Sequence, residues 1–207
     1  MMDKDKFTTS KLTIFEGPDG GGKTTAARQF AELTGAKYIH HGAYKGEVKI
    51  GRHYVESILP ALHGCQDIVL DRSWHSEKIY GDAYRNGEDR LGKRAADLTI
   101  LGNMCGAVMV MCLPPLAKVL KTFNSRRSQE MLSNDDQMSE VYFAYKFSKF
   151  GQTVDNSSNI VVVYDYTSMT SWSPRAIDSL RPPNVFVNNL DTCLQMFNLA
   201  KRASSYE

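Results

Sequence analysis

Between Phe15 and Thr25 the chain reads FEGPDGGGKTT, and its glycine-lysine-threonine spacing, G-x-x-x-x-G-K-[ST] from Gly17 to Thr24, constrains the fold more than any other feature. The apolar run LTIF (Leu12 to Phe15) precedes it and reads as a buried strand, and Lys23 to Leu33, stopped by Gly35, reads as a helix. A glycine loop between a buried strand and a helix start wraps anions. Backbone N–H groups of Gly20 to Thr25 and the positive end of the helix supply the potential. Asp19 lies among those glycines, and a carboxylate should repel what such a loop holds.

The rest of the chain repeats the alternation. DIVL (Asp67 to Leu70), AVMVMCL (Ala107 to Leu113) and NIVVVYDY (Asn159 to Tyr166) read as strands, with KYIH (Lys37 to His40) a weaker fifth. Helical stretches fall between them at Val48 to Leu62, Arg90 to Met104, Leu116 to Ser125 and Ser139 to Phe150. Strand and helix taking turns predict an α/β fold, an open parallel five-stranded sheet with helices on both faces, of the P-loop NTPase kind. The 207 residues are read as a single domain. The proline-containing segment Ser168 to Asn184 reads as an irregular excursion before a last helix near Asn189 to Ala203.

A hydrophobic share of 42%, a charged share of 23% and a net charge of +2 are those of an ordinary globular protein and call for no nucleic-acid polymer. The N-terminus MMDKDKFTTSK is polar, and no run approaches the roughly 18 apolar residues of a membrane span. The expectation is a cytoplasmic protein without a membrane partner. Cys65, Cys105, Cys112 and Cys193 form no C-x-x-C pair and are read as reduced, buried thiols.

The loop assigns roles within itself. Gly17, Gly20, Gly21, Gly22 and the amides up to Thr25 are expected to cradle the phosphates of ATP, with Lys23 between the β- and γ-phosphates and the Thr24 hydroxyl helping to hold Mg²⁺. A second motif, DRSWHSEKIYGDAYR from Asp71 to Arg85, follows the third strand, and strand ends in such sheets open on the ligand crevice. There Arg72 is suited to clamp a second phosphate while Asp71 supports the Mg²⁺ shell.

Together these two motifs resemble the thymidylate kinase family and the related deoxynucleoside kinases, phage-borne short forms included. The match to E-G-x-[DE]-G-x-G-K-[ST]-T runs through Glu16, Gly17, Asp19, Gly20, Gly22, Lys23, Thr24 and Thr25, and the D-R motif is followed by Ser76 and Tyr80 at the family's spacing. The resemblance implies that Asp19 accepts a hydrogen bond from the 3′-hydroxyl of the acceptor's deoxyribose, and that Tyr80 packs where a 2′-hydroxyl would need room. It also implies a lid at about 124 to 138, in NSRRSQEMLSNDDQ. With no basic residue in the loop ahead of Lys23, Arg126 or Arg127 is expected to carry the arginine that neutralises the transferred group.

The family's R-E-P-G-G segment is replaced by HHGAYKG, so Arg52 or Lys45 is the substitute for its arginine. Gly81 stands where a thymine-reading glutamine often follows the tyrosine, which leaves the base open. Adjacent His40 and His41 should point to opposite sides of their strand and so not share an ion. The apolar helix end LTILGNMCGA suits either a homodimer or the core.

The expected activity is transfer of the γ-phosphoryl group of ATP to a deoxynucleoside monophosphate. The alternatives are phosphorylation of a free deoxynucleoside, for which E-R-S-x-x-S kinases offer a similar motif, and a nucleotide-binding protein without catalysis. A nucleoside acceptor needs a carboxylate base near the second strand, and KYIHHGAYKG has no acid before Glu47.

Overall fold

The computed structural model describes residues 12–44, 49–126, 134–147 and 160–167. Its elements are β1 (Leu12–Glu16), α1 (Lys23–Thr34), β2 (Lys37–His40), α2 (Ile50–Leu62), β3 (Ile68–Asp71), α3 (Trp74–Tyr84), α4 (Arg94–Met104), β4 (Val108–Cys112), α5 (Leu116–Arg126), α6 (Asp135–Phe147) and β5 (Ile160–Tyr164). The five strands pair in the order β2-β3-β1-β4-β5. Every pairing is parallel. This is the α/β P-loop NTPase architecture that the alternation predicts.

Side-chain alternation distributes the helices over two faces. From β1 and β3, Leu12, Ile14, Ile68 and Leu70 pack against Tyr54 and Ile58 of α2 and Leu98 and Leu101 of α4. Their neighbours Phe15 and Val69 turn the other way, joining Val108 and Val110 of β4 against Ala26, Ala27, Phe30 and Ala31 of α1. Met109 and Met111 of β4 meet Ile79 and Tyr80 of α3, Val119 and Phe123 of α5, and Met138 and Tyr145 of α6. With both faces covered, the strands are continuously apolar rather than alternating.

β1 lies at the centre, with Phe15 beside Asp71 on one flank and Phe15 beside Val110 on the other. The chain leaves β1 for β2 on the β3 side and later crosses from β3 to β4 on the other side, so a crevice opens at the carboxyl end of β1 between β3 and β4. The glycine loop and the Asp71–Arg72 turn both emerge there.

The structure corrects several boundaries. Within DRSWHSEKIYGDAYR, Trp74–Tyr84 forms a helix, α3, that is not among the expected helices; the side chain of Ser73 caps it by accepting from the His75 N–H. Its buried residues, Trp74, Ser76, Glu77, Ile79, Tyr80 and Gly81, mix polar with apolar, so no clean apolar stripe marks it. The next helix starts at Arg94 rather than Arg90, because Asp89 Oδ1 accepts from the N–H groups of Leu91 and Gly92 and makes a turn. α6 begins at Asp135, where Asn134 Oδ1 accepts from the Gln137 N–H, so the expected lid shares residues with two helices. Cys105 and Cys112 are buried, but Cys65 is exposed. On α4, Leu98 and Leu101 face the core and Ile100 faces solvent. Residues 127–133, 148–159 and 168–207, with the middle of the lid, the proline-containing excursion, the last helix and Cys193, lie outside the described residues, as does Lys45. Among the described residues no helix is long and apolar enough to cross a membrane.

Candidate active site

The glycines of the loop are required by what surrounds them. At Gly17, with φ of 141°, a Cβ would lie 2.4 Å from the carbonyl oxygen of Cys112, and at Gly20, with φ of 80°, one would lie 2.9 Å from that of Val119. The loop is thus pressed between the end of β4 and α5, in backbone conformations that L side chains resist. Gly22 caps α1 without a side-chain hydrogen bond, and the first turn holds no acidic residue. The helix start is left suited to an external anion. Lys23 is buried; its Nζ donates to the Pro18 carbonyl at 2.7 Å.

Asp71 ends β3 fully buried. Its Oδ2 accepts from the Thr24 hydroxyl at 2.7 Å and the Tyr38 hydroxyl at 2.7 Å, and pairs with His40 Nδ1 at 2.8 Å. Burial and the neighbouring carboxylate push the Tyr38 phenol up to about 12, which keeps it a donor. Asp71 Oδ1, also buried, has no partner among the described residues. A free carboxylate oxygen one hydrogen bond from a threonine hydroxyl fits a Mg²⁺ ion that keeps its waters and takes phosphate oxygens.

Arg72 has a φ of 73°, the left-handed region, which costs a side-chain-bearing residue about 1–3 kcal/mol. Its N–H donates to the Phe15 carbonyl at 3.0 Å. The turn aims the guanidinium back at the glycine loop, where it pairs with Asp19, and its carbon lies 4.8 Å from the centre of the Tyr80 ring. The Tyr80 hydroxyl donates to Asp19 Oδ2 at 2.9 Å and accepts from the Asp19 N–H at 3.1 Å. Asp19 Oδ1 also lies 3.9 Å from Lys23 Nζ. Three of the residues expected on the acceptor side, Asp19, Arg72 and Tyr80, therefore form one cluster.

A cavity of about 740 Å³ runs from the loop past this cluster. Its far wall was not anticipated. Glu77, buried on α3, receives Arg85 Nη2 at 3.2 Å and Arg90 Nη2 at 2.6 Å, and Arg90 Nη1 donates to the Tyr44 carbonyl at 2.9 Å. His41, Tyr44 and Tyr54 complete that wall. Burial lowers the His41 imidazole to about 4, so it is neutral at pH 7; its Nδ1 pairs with the Tyr44 hydroxyl. Among the described residues, the charged side chains lining the cavity are Lys23, Arg72, Arg85, Arg90 and Arg126 against Asp19 and Glu77, a balance of five cations to two carboxylates that suits polyanionic ligands.

Of the residues expected in the site, Asp19, Gly20, Gly22, Lys23, Thr24, Thr25, Arg72, Ser76, Tyr80 and Arg126 line this cavity. Gly17 and Gly21 sit beneath it, against Cys112. Ser76 is tied elsewhere, its hydroxyl donating to Glu16 Oε2 at 2.7 Å and bonded to the Tyr145 hydroxyl at 2.8 Å. Arg52 is not brought in: its side chain is 62% exposed and paired with Glu56 one turn on along α2. Arg85 and Arg90 supply the additional arginines. Arg127 lies outside the described residues. His40 and His41 do point to different partners, Asp71 and Tyr44.

No protein-family model matches the chain, and no curated protein matches it. Solved structures similar to it include the YorR protein from Bacillus subtilis in complex with phosphorylated GDP, at 15% identity and a TM-score of 0.48 over 82% of this chain and 92% of that one. A deoxyadenosine kinase from M. mycoides, with dCMP and a flexible dCDP bound, aligns at 13% identity and a TM-score of 0.47 over 94% and 100% of the two chains. Shikimate kinase from Acinetobacter baumannii, in complex with shikimate, aligns at 13% identity and a TM-score of 0.38 over 93% and 95%.

Proposed function

We propose that the chain is a deoxynucleoside monophosphate kinase, transferring the γ-phosphoryl group of ATP to a dNMP to give ADP and a dNDP. The observation that carries this reading is the convergence of Asp19, Arg72 and Tyr80 on the cavity beside the glycine loop. The triphosphate lies along the loop amides, with Lys23 exchanging the Pro18 carbonyl for the phosphate oxygens. The acceptor's phosphate takes the Arg72 guanidinium, and its 3′-hydroxyl donates to the Asp19 carboxylate that Arg72 gives up. Tyr80 then lies against the sugar, which favours deoxyribose.

An oxygen of the acceptor phosphate forms the new bond to the γ-phosphorus as the bond to the β-γ bridging oxygen breaks. The electron pair leaves with ADP. The nucleophile is already ionised, so no general base is needed. Mg²⁺, held through Thr24 and Asp71, would neutralise charge between the phosphates. Lys23 and Arg126, with Arg127 as the neighbouring candidate, stabilise the charge spread over the transferred group. Arg85 and Arg90 extend the positive field along the acceptor end. A dTMP-like acceptor is the starting candidate, although Gly81 removes the family's usual thymine contact.

The second reading, a deoxynucleoside kinase, needs a carboxylate free to take a hydroxyl proton. Asp19 and Glu77, the carboxylates that line the cavity among the described residues, both bridge to arginines, which disfavours it. A coupled ADP-release assay with each nucleoside and nucleoside monophosphate as acceptor separates the readings. Turnover with a dNMP and not with the matching nucleoside is expected. Turnover with the nucleoside alone would reverse the assignment, and none with any acceptor would leave a nucleotide-binding protein.

A further inference from the structure

Glu16 closes β1 immediately ahead of the glycine loop, is wholly buried, and does not line the cavity. Its carboxylate takes four hydrogen bonds from three residues, two at the start of α3 and one on α6. Oε1 accepts from the Ser73 N–H at 2.7 Å and the Ser73 hydroxyl at 2.6 Å. Oε2 accepts from the Ser76 hydroxyl at 2.7 Å and the Tyr145 hydroxyl at 3.1 Å. A fully buried carboxylate is sustained only by such a set of donors.

The position of these bonds is what gives them a consequence for the site. Arg72 is the left-handed residue of the turn, and its own N–H is held by the Phe15 carbonyl. The next N–H, that of Ser73, is held by Glu16. Two successive amides on either side of a strained residue are therefore fastened to the last two residues of β1, one by main chain and one by side chain. Ser73 also caps α3, so the same bonds fix where that helix, and Tyr80 upon it, begins. Tyr145 joins α6 to the node from the other side.

We infer that Glu16 is a positioning residue: it holds the Arg72 turn in its left-handed conformation and so aims the guanidinium at the acceptor phosphate. This rests on the acceptor reading given above for Arg72. The role depends on hydrogen-bond geometry and not on negative charge at the reacting phosphates, which Glu16 does not reach. Glutamine can reproduce that geometry. Its carbonyl oxygen accepts from the Ser73 N–H, and its NH₂ group donates to the Ser76 and Tyr145 hydroxyls, which turn to accept. Alanine removes all four bonds.

The test compares Glu16→Ala and Glu16→Gln in the full chain by steady-state kinetics and by amide hydrogen exchange. Glu16→Ala is expected to raise the acceptor KM at least tenfold while the KM for ATP stays within twofold, and Glu16→Gln to restore the acceptor KM to within about threefold of wild type. Equal rises in both KM values, or a Gln variant as impaired as the Ala variant, would overturn the inference. Exchange decides the point without reference to activity: in Glu16→Ala the amides of Arg72 and Ser73 should exchange at least tenfold faster, with α1 unchanged, whereas no change or a uniform change overturns it. Should the Ala variant not fold, Glu16→Leu and the double variant Ser76→Ala/Tyr145→Phe are read in the same two assays, with the same outcomes expected in weaker form from the double variant. A wild type that phosphorylates no monophosphate defeats the kinase reading alone, because the exchange arm still decides what Glu16 holds.

Discussion

Arg72 allows backbone and side chain to be tested apart, by replacing it with alanine and with glycine. Both substitutions remove the guanidinium, whose side chain is 16% exposed and bridges Asp19 and Tyr80. Losing a buried, hydrogen-bonded charge typically costs about 2–5 kcal/mol toward its partner. At about 1.4 kcal/mol per tenfold, kcat/KM for the dNMP should fall by roughly 30-fold to a few thousand-fold in either variant, with KM for ATP little changed. Stability should divide them. At a φ of 73° alanine retains the steric penalty of the left-handed region and glycine does not, a difference of about 1–2 kcal/mol. For a chain of this size each kcal/mol moves Tm by about 2–4 °C, so Arg72→Gly should melt roughly 2–8 °C above Arg72→Ala. Thermal melts and the coupled assay on the same preparations read both quantities. A glycine variant no more stable than the alanine variant would refute the strained turn, and equal losses for dNMP and ATP would refute the acceptor-side role.

Lys23→Ala should keep the fold and lower kcat by well over tenfold in the coupled assay, since a tenfold loss corresponds to only about 1.4 kcal/mol of transition-state stabilisation. Glu77→Gln leaves Arg85 and Arg90 without their buried counter-charge and should lower unfolding stability by about 3 kcal/mol, read as a shift in urea midpoint at constant m-value. Burial holds His41 at about 4 and His75 at about 3 in the folded chain, below the ordinary 6.5, so the unfolded chain binds more protons and stability rises with pH. Stability should be complete above pH 6.5 and lost progressively as pH falls toward 4, by about 3 kcal/mol from His41 alone, and His41→Phe should flatten the dependence of Tm on pH. With Asp19→Asn, a 2′,3′-dideoxy acceptor should be penalised much less than with the wild type, giving a coupling of about 1–3 kcal/mol between residue and hydroxyl; additive penalties would remove Asp19 from the acceptor's sugar.

What could be read from the sequence was whatever had a short-range signature. Apolar runs bounded by glycine and charge gave all five strands, and the loop spacing placed Lys23 and Thr24 correctly at the start of α1. The D-R motif placed Asp71 against Thr24 because register in a parallel sheet fixes which strand ends meet. Helix α3 was missed because its inward face carries Ser76 and Glu77 as well as Trp74 and Ile79, a pattern that hydrophobic periodicity does not register. Arg85 and Arg90 were missed for a related reason. Their selection depends on Glu77 being buried between them, a long-range fact, whereas Arg52 had only its nearness in sequence to recommend it and turned to solvent with Glu56.

The aspartate among the glycines is explained by how the loop divides its two sides. Amides and Lys23 supply positive potential along one side of the loop, where the proposed triphosphate would lie, and the Asp19 carboxylate is turned toward α3, where the Tyr80 hydroxyl bonds to both its side chain and its N–H. Arg72 completes the arrangement, so the carboxylate is neutralised locally instead of opposing the donor phosphates. Opposite charges about 4 Å apart interact by some 4 kcal/mol at the effective dielectric of a protein surface, so leaving either partner unpaired would be costly. Under the proposed reading, a ligand that takes Arg72 with an anion leaves Asp19 to the Tyr80 hydroxyl and Lys23, and a donor on the same ligand would replace the lost contact. A sugar monophosphate with a free 3′-hydroxyl does both at once; an inorganic anion satisfies only the arginine, and a nucleoside only the aspartate. Under the kinase reading proposed above, the pair would act as a joint requirement on the acceptor, selecting a ligand that carries an anion and a hydroxyl together.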